Sequence, residues 1–123
     1  MKAGYTLNRP TALTCPECGG ALAPEHVGTL LQYRCHIGHV LTAETMIVGK
    51  LEELEFILGA CLAKLNEHTE LCRQIAEHEM TADEYRTVLR AAQAQARERA
   101  ELVRAMLQGE WIQPVRCEDE DVA

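Results

Sequence analysis

From Thr42 onward, apolar or small residues return at Ile47, Leu51, Leu54, Leu58, Cys61, Leu65, His68, Cys72 and Ile75, in alternating steps of four and three. Kept up for about four heptads, that spacing predicts a helix with a coiled-coil seam. Thr42 is the candidate N-cap, and Glu44 puts a negative charge in the first turn, where the helix dipole favours it. A second run starts at Thr81, with Glu84 completing a capping box. It carries Tyr85, Leu89, Ala92, Ala96, Val103, Met106 and Leu107 to a stop at Gly109. The expected helices are 42–79 and 82–108, folded back near Met80 as an antiparallel helical hairpin that fills 42–109, so the chain reads as mainly α.

Two features weaken such a hairpin on its own. Gly49 and Gly59 each cost about 1 kcal/mol relative to alanine inside a helix, unless a neighbour needs the space. The second helix is rich in alanine, at Ala91, Ala92, Ala94, Ala96 and Ala100, which permits close packing but buries little area per residue. Self-association into a four-helix bundle, with a dimer favoured, or docking on another protein would supply the missing buried surface. Leu51, Leu54, Leu58 and Leu65 are the candidate partner-binding residues.

Ahead of Thr42 the helical pattern is gone. Residues 1–13 read as an extended lead-in, with Leu7 and Leu13 expected to brush the module that follows. Residues 14–41 carry Gly19-Gly20, Pro24 and Gly28 as punctuation and Leu30–Arg34 as a strand. Cys15-Pro16-Glu17-Cys18-Gly19-Gly20 is followed by Cys35-His36-Ile37-Gly38-His39, with sixteen residues between Cys18 and Cys35. A C-x2-C pair with a distant Cys/His pair is the ligand spacing of one tetrahedral zinc ion. The expected fold is a small zinc ribbon in which a hairpin between Ala21 and Arg34 brings two knuckles together, and Gly19 and Gly38 supply the tight turn geometry. Cys15, Cys18, Cys35 and His39 are the expected ligands. His36 is the alternative fourth ligand, disfavoured because it adjoins Cys35, and His26 reads as a solvated residue. Four protein ligands make a structural site with no position for water, and the Cys3His set suits zinc better than iron. So short a module has little core, so the metal supplies most of its folding energy.

Composition narrows the function. Twelve Lys and Arg stand against nineteen Asp and Glu, a net charge of −7. That balance disfavours phosphate-backbone binding, which needs clustered cations. Only Arg86, Arg90, Arg97, Arg99 and Arg104 form a basic stripe, and Glu98 and Glu101 dilute it. Six cysteines without an apolar leader, three of them in ligand spacing, point to a reducing, cytoplasmic setting. Lys50, Glu52, Glu53 and Glu55 interrupt the most apolar region, so no membrane span is expected.

Candidate chemistry outside the ribbon is sparse. Cys61, His68 and Cys72 lie on successive seam positions and could form a second metal site, but buried thiols and a hydrogen-bonded histidine are the simpler reading. Cys117 adjoins Glu118-Asp119-Glu120-Asp121, whose charge disfavours its thiolate. The segment 110–123 reads as an acidic, disordered tail started by Trp111. There is no G-x-S-x-G elbow, phosphate loop or H-x-E deaminase signature, so the expectation is a non-enzymatic protein-interaction module. The alternatives are a nucleic-acid-associated regulatory ribbon and a thiol–zinc redox sensor that loses its metal on oxidation of Cys15, Cys18 or Cys35.

Thr14–Met46, with its CP-x-CGG and CH-x-GH elements at Cys15, Pro16, Cys18, Gly19, Gly20, Cys35, His36, Gly38 and His39, followed by a helix to about His78, resembles the C-terminal region attached to many bacterial chemotaxis protein-glutamate methylesterase (CheB-like) proteins. The resemblance covers a little over half of the chain and leaves out the esterase domain with its Ser-His-Asp site. It implies an accessory or scaffold module in bacterial signalling or chemotaxis-like systems, with a signalling component as protein partner.

Overall fold

The computed structural model of the chain describes Tyr5 and residues 7–114. Four strands form one antiparallel sheet in chain order: β1 (Leu13–Thr14), β2 (Ala21–Val27), β3 (Leu30–Cys35) and β4 (Val40–Thr42). Two helices follow, α1 (Ala43–Glu77) and α2 (Asp83–Gln108), within two residues of the expected bounds. The chain divides into two compact units, one from Met1–Leu51 with Gln113–Ala123 and one from Glu52–Ile112.

In the first unit the β2–β3 hairpin pairs Leu22 with Cys35 and Val27 with Leu30 across a turn at Gly28, where φ is +64°. Alternation along the strands turns Leu22, Cys35 and Leu41 inward, and they bury with Cys15 and Met46, with Tyr33 packed on the edge. The opposite face is polar: Glu25 accepts hydrogen bonds from Gln32 and Arg34 beside it. Arg34 in turn holds the Glu25 carboxyl below the usual range, with Gln32 adding to the effect. The lead-in differs from expectation. Leu7 is fully exposed, and Leu13 belongs to β1, paired with Leu22.

Thr42 caps α1 as expected, accepting a hydrogen bond at Oγ1 from the Thr45 amide at 3.1 Å. Gly49 is explained by the Pro16 ring, which lies 3.1 Å from where an alanine Cβ would stand; no atom lies within 4 Å of the same position at Gly59.

In the second unit α1 and α2 form a two-helix hairpin. Cys72, Ala76 and Leu89 bury together with Ile75 and Ala92 packed against them, and Ala96 and Ala100 are buried farther along α2. The seam on α1 runs through Leu58, Leu62, Leu65, Thr69, Cys72 and Ala76. Of the expected seam and partner-binding positions, Leu51, Leu58, Leu65 and Ile75 are half-buried, whereas Leu54, Cys61 and His68 are exposed. The expected Thr81 capping box does not form. Ala82 is the N-cap and has no side-chain cap, because the Thr81 hydroxyl instead donates to the Ile75 carbonyl at 2.6 Å.

The turn is closed by a residue that the sequence reading placed only in a basic stripe. Arg86 donates from Nε to the Ala76 carbonyl at 2.6 Å and from Nη2 to the Thr81 and His78 carbonyls at 3.0 and 3.2 Å. A cation on the Ala76 carbonyl, in the last turn of α1, and on two carbonyls of the turn beyond it suits the negative end of the helix dipole. At the far end, Gly109 stops α2 as expected, and Trp111 donates from Nε1 to the Met106 carbonyl. Cys117 and the acidic run lie outside the described residues.

Candidate metal centre

The sheet brings two turns face to face. In the first, the Cys15 amide donates to the Gly20 carbonyl and the Gly19 amide to the Cys15 carbonyl, each at 2.7 Å. In the second, the Gly38 amide donates to the Cys35 carbonyl and the Cys35 amide to the His39 carbonyl, both at 3.0 Å. Gly19 and Gly38 sit at φ +76° and +111°, in the left-handed region that side-chain-bearing residues rarely adopt. Both glycines therefore stand where turn chemistry requires them.

These turns gather Cys15, Cys18, Cys35 and His39, whose donor atoms all lie within 4.8 Å of one another. Cys18 Sγ is 3.8 Å from Cys35 Sγ, and His39 Nδ1 is 3.3 Å from Cys35 Sγ and 3.8 Å from Cys15 Sγ. Metal–sulfur bonds of 2.3 Å around a tetrahedral ion would set neighbouring sulfurs about 3.8 Å apart, so the cluster has the size of a metal site before any adjustment. Three soft thiolates and one imidazole are a donor set suited to zinc. Among the described residues this is the one such cluster.

Electrostatics at the sulfurs is uneven. Burial disfavours the Cys35 thiolate, but the amides of His39, Ile37 and Gly38 point at its sulfur and outweigh burial, lowering its pKa to about 6. The Gly20 amide favours the Cys18 thiolate, yet desolvation and the Cys15 and Cys35 sulfurs overcome it and push that pKa up. Two thiols of one cluster thus differ because one turn aims three amides at a sulfur and the other only one.

No family model, curated protein or solved structure matches this chain.

His39, not His36, is the histidine brought to the three sulfurs. The His36 ring instead covers Gly20: a Cβ there would lie 2.6 Å from His36 Cε1 and 3.4 Å from Cys18 Sγ. His36 thus packs one turn against the other, and Gly20 leaves room for it. His26 is exposed on β2. Cys61 and His68 are exposed and Cys72 is buried; His68 Nε2 lies 3.8 Å from Cys72 Sγ, and the three do not converge as a donor cluster.

Sequence reasoning missed Glu17, between the first two ligands. Its Oε2 lies 3.4 Å from His39 Nε2, on the side of the ring away from the sulfurs. Metal-ligating histidines commonly give their second nitrogen to a carboxylate, which fixes tautomer and orientation. The signal was there, an acidic residue inside the C-x2-C loop, but only the fold says which histidine it meets.

No helix among the described residues is long and apolar enough to cross a membrane.

Proposed function

We propose that Cys15, Cys18, Cys35 and His39 hold one structural zinc ion, and that the chain is a non-enzymatic, cytoplasmic protein-interaction module in which a zinc ribbon carries an interacting helical hairpin. The observation that carries this reading is the closed donor set: three cysteines and one histidine within 4.8 Å of one another fill a tetrahedral ion's positions and leave none for a reacting water. Metal at this site would stabilise the turns and lend its binding energy to a sheet whose buried core is only five residues. The helices then supply the contact surface, and the resemblance of Thr14–Met46 to the methylesterase-associated region favours a bacterial signalling component as partner. Nucleic acid is the weaker reading, because the net charge is −7 and two of the five α2 arginines are spent at home, Arg86 on the turn and Arg104 on Glu101.

The test is affinity capture from native-host lysate with mass spectrometry, comparing wild type with Cys15→Ser, each with and without nuclease. A nuclease-resistant protein partner lost with Cys15→Ser is the expected result. Recovery of only nuclease-sensitive material would put the nucleic-acid reading first.

A further inference from the structure

The three sulfurs of the cluster differ sharply in exposure. Cys15 and Cys35 are 0% and 3% exposed and belong to the buried core of the sheet, whereas Cys18 lies open to solvent. Oxidation of a cysteine follows its exposure as well as its thiolate character. A reagent arriving from water therefore meets Cys18 first.

Cys18 also has a second thiol at hand. Its Sγ donates to Cys35 Sγ at 3.8 Å. A disulfide holds its sulfurs about 2 Å apart, so about 2 Å of approach joins the pair. Cys15 lies within 4.8 Å as well, but its Sγ faces His39 Nδ1 at 3.8 Å and is the most deeply buried of the three. Cys61 makes the contrast: it too is exposed, yet Cys72 on the same helix is eleven residues on, about 16 Å along the axis.

We propose that Cys18 is an oxidation site for small hydroperoxides and that Cys35 resolves it, closing a Cys18–Cys35 disulfide across the two turns and releasing the ion. Cys18, as thiolate, attacks the hydrogen-bearing oxygen of the hydroperoxide. The S–O bond forms, the O–O bond breaks, and the departing alkoxide takes a proton from water. Cys35, as thiolate, then attacks the sulfur of the Cys18 sulfenic acid. The S–S bond forms, the S–O bond breaks, and the hydroxide that leaves is protonated to water. Two electrons pass from the two sulfurs to one hydroperoxide, which ends as an alcohol and water. The inference rests on the metal-site reading for the ion alone, since the placement of the sulfurs stands without it. Losing two of four donors removes tight metal binding. The bridge has one end in each turn, as the ion would, so the turns stay joined when the metal leaves. Oxidised, metal-free sheet should accordingly melt above reduced, metal-free sheet.

The test is oxidation of the full, metal-loaded chain by hydrogen peroxide, in wild type and in a variant with Cys61→Ser, Cys72→Ala and Cys117→Ser that keeps the three site cysteines. A chromogenic chelator follows metal release, dimedone traps sulfenic acid, and mass spectrometry of non-reduced digests locates bridges. One ion should leave per bridge formed, with Cys18 linked to Cys35 and dimedone on Cys18 about tenfold above that on Cys15 or Cys35. Reductant followed by zinc should restore the starting chain. Mapping in wild type covers the case in which the variant fails to fold. A bridge from Cys15 to either partner, sulfinic acid at Cys18 without a bridge, or site thiols still intact after Cys61 is consumed overturns the proposal. A reduced chain that holds no metal by elemental mass spectrometry overturns the metal-site reading instead, and the digests still decide between Cys18–Cys35 and the other pairings.

Discussion

Glu17 Oε2 and His39 Nε2 face each other at 3.4 Å, and this contact leaves Nδ1 as the nitrogen turned toward the three sulfurs. With His39 holding a metal through Nδ1, the carboxylate would keep the proton on Nε2 and limit rotation of the ring. Glu17→Ala is expected to weaken metal binding about tenfold, the low end for such partners because the carboxylate is exposed, with Glu17→Gln keeping most of the affinity through its amide oxygen. Chelator competition measures both, and long-range nitrogen–proton NMR reads the tautomer. Equal affinity for all three proteins would remove Glu17 from the site.

The two histidines of the second turn should separate cleanly. His39→Ala removes a donor and is expected to lose tight metal binding, whereas His36→Ala should retain the metal with the same stoichiometry. Gly20→Ala should be worse than His36→Ala, because its methyl would force the His36 ring aside while also touching the Cys18 sulfur. Metal content by elemental mass spectrometry decides both comparisons.

Acidity gives the site a pH signature in metal-stripped protein. The folded pKa of Cys35, about 6, lies below the ordinary thiol value near 9. A depressed acid contributes stability that is fully present above its unfolded pKa and is lost as pH falls through its folded one. The stripped sheet should therefore gain stability between pH 6 and about 9, and Cys35→Ser should flatten that slope. Cys18, whose pKa is raised, opposes it at the alkaline end. Thermal melts across this range test the sign, and stability falling from pH 6 to 9 would contradict it.

The helix glycines should behave oppositely. Gly59→Ala meets open space and should stabilise the chain by about 1 kcal/mol through helix propensity alone. At Gly49 the Pro16 ring stands 3.1 Å from the new methyl, so the same change should gain less or become destabilising. Urea unfolding of both variants provides the comparison.

Arg86 closes the hairpin turn through three backbone carbonyls, and Arg86→Ala should cost about 2 kcal/mol, since hydrogen bonds from charged donors are worth more than neutral ones. Lysine should restore only part of this, because a single ammonium does not reproduce the planar fork. A loss under about 0.5 kcal/mol, the ordinary scale of a surface change, would mean that water serves those carbonyls equally well.

What the sequence made legible followed the strength of each local rule. The four donors could be named because ligand spacing is a short-range constraint, and both helices because their apolar period persists over many turns. The seam was read one residue off at Cys61 and His68, where Leu62 and Thr69 are the half-buried positions. The cause is that alternating steps of four and three repeat every 3.5 residues and drift by about 20° per heptad against a straight helix of 3.6 residues per turn. β1 and β4, of two and three residues, are too short to show alternation. The roles of Thr81 and Arg86 were not legible because their partners, the carbonyls of Ile75, Ala76 and His78 among them, come close only once the chain has turned.

The Pro16 ring rests against Gly49, and Lys50 Nζ donates to Thr14 Oγ1 at 2.6 Å. The residues that flank the first ligand thus also touch the second turn of a 35-residue helix. Linkage between two such events is reciprocal: whatever free energy ion capture contributes to ordering that turn, ordering of the turn returns to ion capture. Anything that grips the ordered start of α1 would tighten metal binding in competition with a chelator, and stripping the metal would loosen that grip in equal measure.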